Sequence, residues 1–338
     1  MASPEQRESS SPVSTPQPGS ALAVDTSLLA RATALAPIIR EHADITERDR
    51  RLASPVLQAM REVGLFRLFT PRSLGGFESD PVTIARVTEE IARFDSAAAW
   101  AMQAGNTGAW WAGHLPEEGV AEIFADGPDL FMSASFSPPH RTEPVAGGYR
   151  FTGRGLLAST IHDSPWVMMT GIVFDGEQPR MTPAGPTIVG LVMRTSELQI
   201  IDTWQSLGMR GTDSNDIAAD AVFVPDRRSF LVTPAYQPGR HFGSPLYRLP
   251  ALVATDVIVA PVALAIARGA ITALRDLADR KTPLGSMKTI RHRSAVQFAL
   301  ADAEAQLRSA RLFFYETLNA VWHVSWPMRY PRSSTAPI

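Results

Sequence analysis

Ile84, Val87, Ile91 and Phe94 recur at steps of three, four and three, which sets them on one face of a helix. Asp80-Pro81 just before them is an N-cap followed by a first-turn proline, so a helix is predicted to start there. Asp95-Ser96 restarts a second helix through Ala97, Ala98, Ala99, Trp100, Ala101 and Met102, whose small residues allow close approach of neighbours. The pattern is helical from Asp25 to about Gly127 and changes near Pro128. Short β-rich runs follow at Tyr149–Thr152, Trp166–Phe174, Thr187–Met193, Leu198–Ile201 and Ala221–Val224, separated by Gly147-Gly148, Asp175-Gly176 and Pro183-Ala184-Gly185-Pro186. Helical patterning returns at Ala251–Asp279 and Ile290–Val321, after a connector from Thr233 to Pro250. Helices, strands, helices is an α+β order, not an alternating βαβ one. The predicted division is a disordered leader at 1–24, a helical domain at 25–127, a central antiparallel barrel or sandwich at 128–232 and a shortened helical bundle at 233–338.

The leader is assigned because residues 1–20 carry four prolines and six serines and no apolar run like that of a secretion signal. Leu249 to Leu274 is the longest apolar stretch, and Asp256, Pro261 and Arg268 within it favour a buried helix over a membrane span. With 338 residues, 45% of them hydrophobic, the chain can build a large core. A net charge of -2 and the lack of a basic run argue against a nucleic-acid partner. The absence of cysteine excludes disulfides, thiolate nucleophiles and Cys metal sites, and it agrees with a cytoplasmic setting.

Nucleotide-binding glycine motifs of the Rossmann and P-loop types do not occur, nor does G-x-S-x-G. The seven histidines form no ligand-spaced pair, so no metal site is predicted. The turn Gly208-Met209-Arg210-Gly211-Thr212, between β-type segments, combines a cation, two glycines and hydroxyl donors. It suits an anion or a polar ring.

Five segments in order resemble the acyl-CoA dehydrogenase superfamily, and within it the two-component flavin-dependent monooxygenases. Pro71–Glu78 with Glu89–Trp100 is similar to the N-terminal helical domain of these enzymes. Phe131–Pro138 resembles the first flavin-contacting strand, and Gly147–Arg154 the hairpin to the second. Ala158-Ser159-Thr160-Ile161-His162-Asp163-Ser164-Pro165-Trp166 resembles the Ser-Gly-x-x-His-x-x-Trp element of the monooxygenase branch. The turn at Trp204–Ser214 is the fourth segment, and Arg280–Pro283 with Gln297 and Ala301–Ala305 resembles the C-terminal bundle, whose arginine often reaches a neighbouring subunit's flavin.

The resemblance implies FMN or FAD, reduced by a partner reductase, and transfer of one oxygen atom from dioxygen to a small aromatic or amine substrate. It implies that Ser133, Ser135, Phe136, Leu157, Ser159, Arg210 and Arg280 contact flavin. It further implies that Trp110, Trp111 and His114 line the substrate, with His114, His162 and Ser159 as catalytic candidates. Each has a structural alternative: the serines as strand hydroxyls, His162 as a loop cap, the tryptophan pair as core, and Arg210 as a turn brace on Asp213 or Asp216. Gly155, Leu157 and Thr160 depart from the family pattern and thin the flavin wall. A shortened bundle leaves apolar helix faces that predict a homo-oligomer, dimer or tetramer. Two other functions stay open, an acyl-CoA dehydrogenase, for which Asp256 is a loose candidate base, and a catalytically silent binding protein.

Overall fold

Asp25 and Asp80 open two helices by the same device. The Asp25 carboxylate accepts the Ser27 and Leu28 N–H groups at 2.9 and 3.2 Å, and Asp80 accepts those of Val82 and Thr83 at 2.9 Å. The computed structural model describes residues 22–233 and 238–325. Most of the predicted leader, and residues 326–338 of the predicted bundle, lie outside the described residues. Leu22 and Val24, assigned to the leader by composition, pack on the core instead, and the Leu22 N–H donates to Asn319 Oδ1 at 2.9 Å.

The helical first third comprises α1 (Thr26–Ala34), α2 (Ala36–Asp49), α3 (Ser54–Glu62), α4 (Pro81–Ala92), α5 (Ser96–Ala112) and α6 (Glu117–Ile123). Within α4, Ile84, Val87 and Ile91 are buried as the periodicity predicts. Helix α5 is buried on nearly every face, and its glycines let the sheet come close. A Cβ on Gly105 would lie 1.9 Å from the Phe131 ring, and one on Gly108 would lie 2.5 Å from Met132 Cβ.

Strands β1 (Met132–Val145), β2 (Gly148–Ala158), β3 (Trp166–Asp175), β4 (Ile188–Arg194), β5 (Gln199–Ile201), β6 (Asn215–Pro225) and β7 (Ser229–Leu231) form one sheet, in the order β7-β4-β3-β1-β2-β6-β5. The sequence pattern predicts antiparallel pairing, yet β1 and β3 are parallel, with Met132 opposite Trp166. The reason is topological. Because β2 occupies one edge of β1 as a hairpin, residues 159–165 carry the chain to the other edge, where β3 runs in the direction of β1. One face of the sheet curls over its own core of Phe151, Val167, Met169, Leu191, Ile217 and Val224, while Met132, Trp166 and Met168 join the helical core.

Helices α7 (Ala251–Arg280) and α8 (Ser294–Ser325) complete the fold. By length and composition Val257–Arg280 could cross a membrane, with a mean hydropathy of 2.1, but here it packs on α4, α5 and α8. The α8 helix docks on α4 through Glu89, which accepts Arg311 Nε and Nη2 at 2.6 and 3.0 Å and the Tyr315 hydroxyl at 2.7 Å. Burial raises the Glu89 carboxyl above its ordinary range despite these partners, and burial and then Glu89 raise the Tyr315 phenol. The pair is a half-buried, hydrogen-bonded clamp between α4 and α8.

Candidate functional site

The hairpin ladder between β1 and β2 runs only from Val145 and Gly148 to Thr142 and Phe151. Beyond it, with β1 shifting register between Ser135 and His140, the strands part and side chains span the seam. His140 Nε2 meets Arg154 O at 2.6 Å, the Ser135 hydroxyl donates to Leu156 O at 2.8 Å, and the Ser133 hydroxyl donates to Ser159 O at 2.6 Å. Carbonyls without a ladder partner on this side need donors, and these side chains supply them. The Ser133 and Ser135 hydroxyls, expected on the edge of a ring ligand, are therefore committed to the β2 backbone.

Where β2 ends, a polar knot forms. Ser159 Oγ accepts Trp100 Nε1–H at 3.0 Å and lies 2.8 Å from Ser214 Oγ, which lies 2.7 Å from Thr212 Oγ1. The Thr160 N–H donates to Thr212 O at 2.8 Å. The His162 backbone N–H and ring Nδ1 both meet the Asp213 carboxylate, at 2.8 and 2.7 Å, and Asn215 Nδ2 donates to it at 2.8 Å. A carboxylate only accepts, so the hydrogen of that ring contact sits on Nδ1, and His162 also borders the adjoining cleft. That cleft, about 320 Å³, is lined by Arg50, Arg51, His162, Asp202, Asp213 and Asn215 among others. Its arginines are already paired, Arg50 with Asp202 and Arg51 with Asp163.

Backbone strain gathers in the same place. Arg50, Leu157, Thr160, Met209 and Asp213 all have φ between 51° and 61°, a left-handed conformation costing a non-glycine residue about 1 kcal/mol or more. The Asp216 carboxylate holds one of them, accepting the Leu157 N–H at 3.3 Å while it pairs with Arg154. Leu157 is thereby turned outward.

Beside the knot stands an apolar ledge. Phe136, Leu156 and Leu157 are 56%, 46% and 61% exposed, unusual for large apolar groups gathered on two neighbouring strands. Trp111 stands 5.4 Å from Phe136, centroid to centroid, and stacks at 6.3 Å on Phe230. His114 packs 5.0 Å from Phe230 and 5.5 Å from Trp111. Burial pushes its imidazole down to about 4, so the ring is neutral at ordinary pH. Trp110 is core, its Nε1–H donating to Leu246 O at 3.2 Å.

Arg210 braces a turn, though not on the predicted acids. Its backbone N–H donates to the Glu47 carboxylate and its Nε to Glu47 O, both at 3.0 Å, because the turn packs on the end of α2 rather than on β6. Arg280 is exposed in the last turn of α7 and donates to Asp276 O within its own helix. The side chain of Asp256 lies outside the described residues. Sequence reading missed Trp100, Ser214, Asp213 and Phe230 as members of the site. A signal existed for Trp100, since an indole N–H on a helix of small apolar residues requires an acceptor from another element.

Family models for the acyl-CoA dehydrogenase N-terminal domain and C-terminal domain match residues 29–114 and 257–329. The chain is 30% identical to the indole-3-acetate monooxygenase of Pseudomonas putida, over 84% of its own length and 71% of that protein. It is 26% identical to the oxygenase component of the FADH(2)-dependent resorcinol hydroxylase of Rhizobium sp., over 84% and 70%. The 3-HSA hydroxylase structure from Rhodococcus sp. RHA1 superposes with a TM-score of 0.79 at 22% identity, covering 88% of this chain and 76% of that one. The chain belongs to the acyl-CoA dehydrogenase superfamily, in its branch of flavin-dependent monooxygenase oxygenase components.

Proposed function

We propose that this protein is the oxygenase component of a two-component flavin-dependent monooxygenase, which hydroxylates or N-oxidises a small aromatic molecule with dioxygen and reduced flavin from a separate reductase. The single observation that carries the reading is the 30% identity to the indole-3-acetate monooxygenase over 84% of the chain. The site's chemistry fits the cofactor. An isoalloxazine ring is flat and apolar on its faces and polar at its edge, and the exposed Leu156 and Leu157 stand just before Ser159 in the chain, with exposed Phe136 on the neighbouring strand β1. Reduced flavin, when bound, supplies the electrons that activate dioxygen.

In this reading the chain's own residues bind, orient and keep out water. The ledge packs on the ring, and Ser159 hydrogen-bonds its edge from a backbone that Ser133 fixes. Trp111, Phe230 and neutral His114 form an apolar wall for the substrate, which keeps water from the reacting atoms. His162, locked on Asp213, is the candidate for moving a proton beside the turn. Arg280 is free of the intrachain site and suits a flavin held by a second copy. A groove of about 570 Å³ between α7 and α8, lined by Leu264, Ile271, Leu307 and Phe314, together with exposed Leu312 and Phe313, supports a homo-oligomer. The proposed compartment is the cytoplasm, supported by the cysteine-free sequence.

Anaerobic titration with reduced FMN or FAD, followed by mixing with dioxygen and an indole or phenol, tests the function. Oxygen-dependent formation of hydroxylated product is the expected result. Bleaching of bound oxidised flavin by an acyl-CoA would identify a dehydrogenase instead, and no affinity for either flavin would leave a silent binding protein.

A further inference from the structure

Resting on the proposed flavin site, we infer that Trp100, Ser214 and Thr212 are positioning residues that allow Ser159 to reverse its hydrogen-bonding polarity as the cofactor changes redox state. Ser159, Ser214 and Thr212 are 9%, 5% and 2% exposed, so their hydroxyls find partners mainly in one another. A hydroxyl has one hydrogen to give and two lone pairs, whereas an indole N–H only donates. Trp100 therefore always occupies one lone pair of Ser159 Oγ, at 3.0 Å. The contacts of 2.8 and 2.7 Å along Ser159, Ser214 and Thr212 then permit two arrangements.

In the first, Ser159 donates to Ser214 and Ser214 to Thr212, which leaves Ser159 an acceptor toward a ligand. In the second, Thr212 donates to Ser214 and Ser214 to Ser159, which turns the Ser159 hydrogen outward. Interchange requires only rotation about three C–O bonds, and no proton leaves its oxygen. An isoalloxazine edge makes the complementary change, since its N5 is an acceptor when oxidised and carries a hydrogen when reduced. A fixed hydroxyl would suit one state and oppose the other, whereas the relay accommodates both.

The test compares affinities for oxidised FMN in air and reduced FMN under argon, followed by flavin absorbance and fluorescence. In Ser214→Ala the Ser159 hydrogen loses its inward partner, so binding of reduced FMN weakens relative to oxidised FMN by about 3- to 10-fold, the worth of one hydrogen bond. Thr212→Val, nearly isosteric, shifts the ratio the same way by a smaller factor and serves if Ser214→Ala disturbs the fold. Thr212→Ser restores the original ratio. Trp100→Phe removes a donor used in both arrangements and alters both affinities alike. Equal changes for the two redox states in Ser214→Ala and Thr212→Val, or none, overturn the relay while leaving the flavin site standing. A parent protein that binds neither form overturns the site and the relay together.

Discussion

The knot around Ser159 and the ledge beside it are built on opposite principles. In the knot, the Asp213 carboxylate accepts three hydrogen bonds and the hydroxyls of Ser159, Ser214 and Thr212 satisfy one another out of water. On the ledge, Phe136, Leu156 and Leu157 stand exposed, and Asp216 holds Leu157 in a left-handed backbone that turns it outward. Polar partners have to be placed within tenths of an ångström, so the fold completes them itself. Apolar surface has no directional demand and gains once a ligand covers it.

The difference is open to direct attack. The largest expected effect is a pH slope in stability from the aromatic wall. Unfolded, His114 takes up a proton below its ordinary 6.5, but in the folded protein burial delays this to about 4. Stability is therefore full above pH 6.5 and declines toward pH 4, by about 3 kcal/mol from this one group. His114→Phe should flatten that part of the profile. Next comes the knot: Asp213→Ala removes a buried acceptor from the buried Asn215 amide and from two donors of the more exposed His162, costing about 2 kcal/mol in urea unfolding. A loss below about 1 kcal/mol would mean that the knot is not a structural hub. On the ledge, Phe136→Ser should weaken FMN binding about 10-fold, near 1.4 kcal/mol of lost apolar burial, while leaving the melting temperature in place. The smallest effect belongs to Leu157→Gly, where relieved backbone strain offsets the extra freedom of the unfolded glycine, so stability stays within about 0.5 kcal/mol and only FMN affinity falls. A marked drop in stability there would show that the ledge supports the fold.

The helices were legible because their signals are local. Asp80-Pro81 and Asp95-Ser96 mark starts that capping physics dictates, and Ile84, Val87 and Ile91 point inward on periodicity alone. Ordered motifs were enough to reveal the superfamily, although Gly155, Leu157 and Thr160 depart from its pattern. Hidden from sequence were facts that depend on which strands meet. Parallel pairing of β1 with β3 follows from the crossover at 159–165, and the Ser133 and Ser135 hydroxyls turn to β2 because the hairpin ladder stops at Thr142. Arg210 has acids nearby in sequence at Asp213 and Asp216, yet it bonds Glu47, 163 positions away. Charge alone cannot choose among them.

The clamp of Arg311 and Tyr315 on Glu89, together with the Leu22 bond to Asn319, bears on how the molecule is made. Partners 222 and 297 positions apart cannot meet until α8 has left the ribosome. During translation the early helices emerge with the α4 surface bare, and their consolidation awaits the synthesis of α8. A nascent chain stalled before Arg311 should accordingly be cleaved by protease within α4, where the finished protein resists.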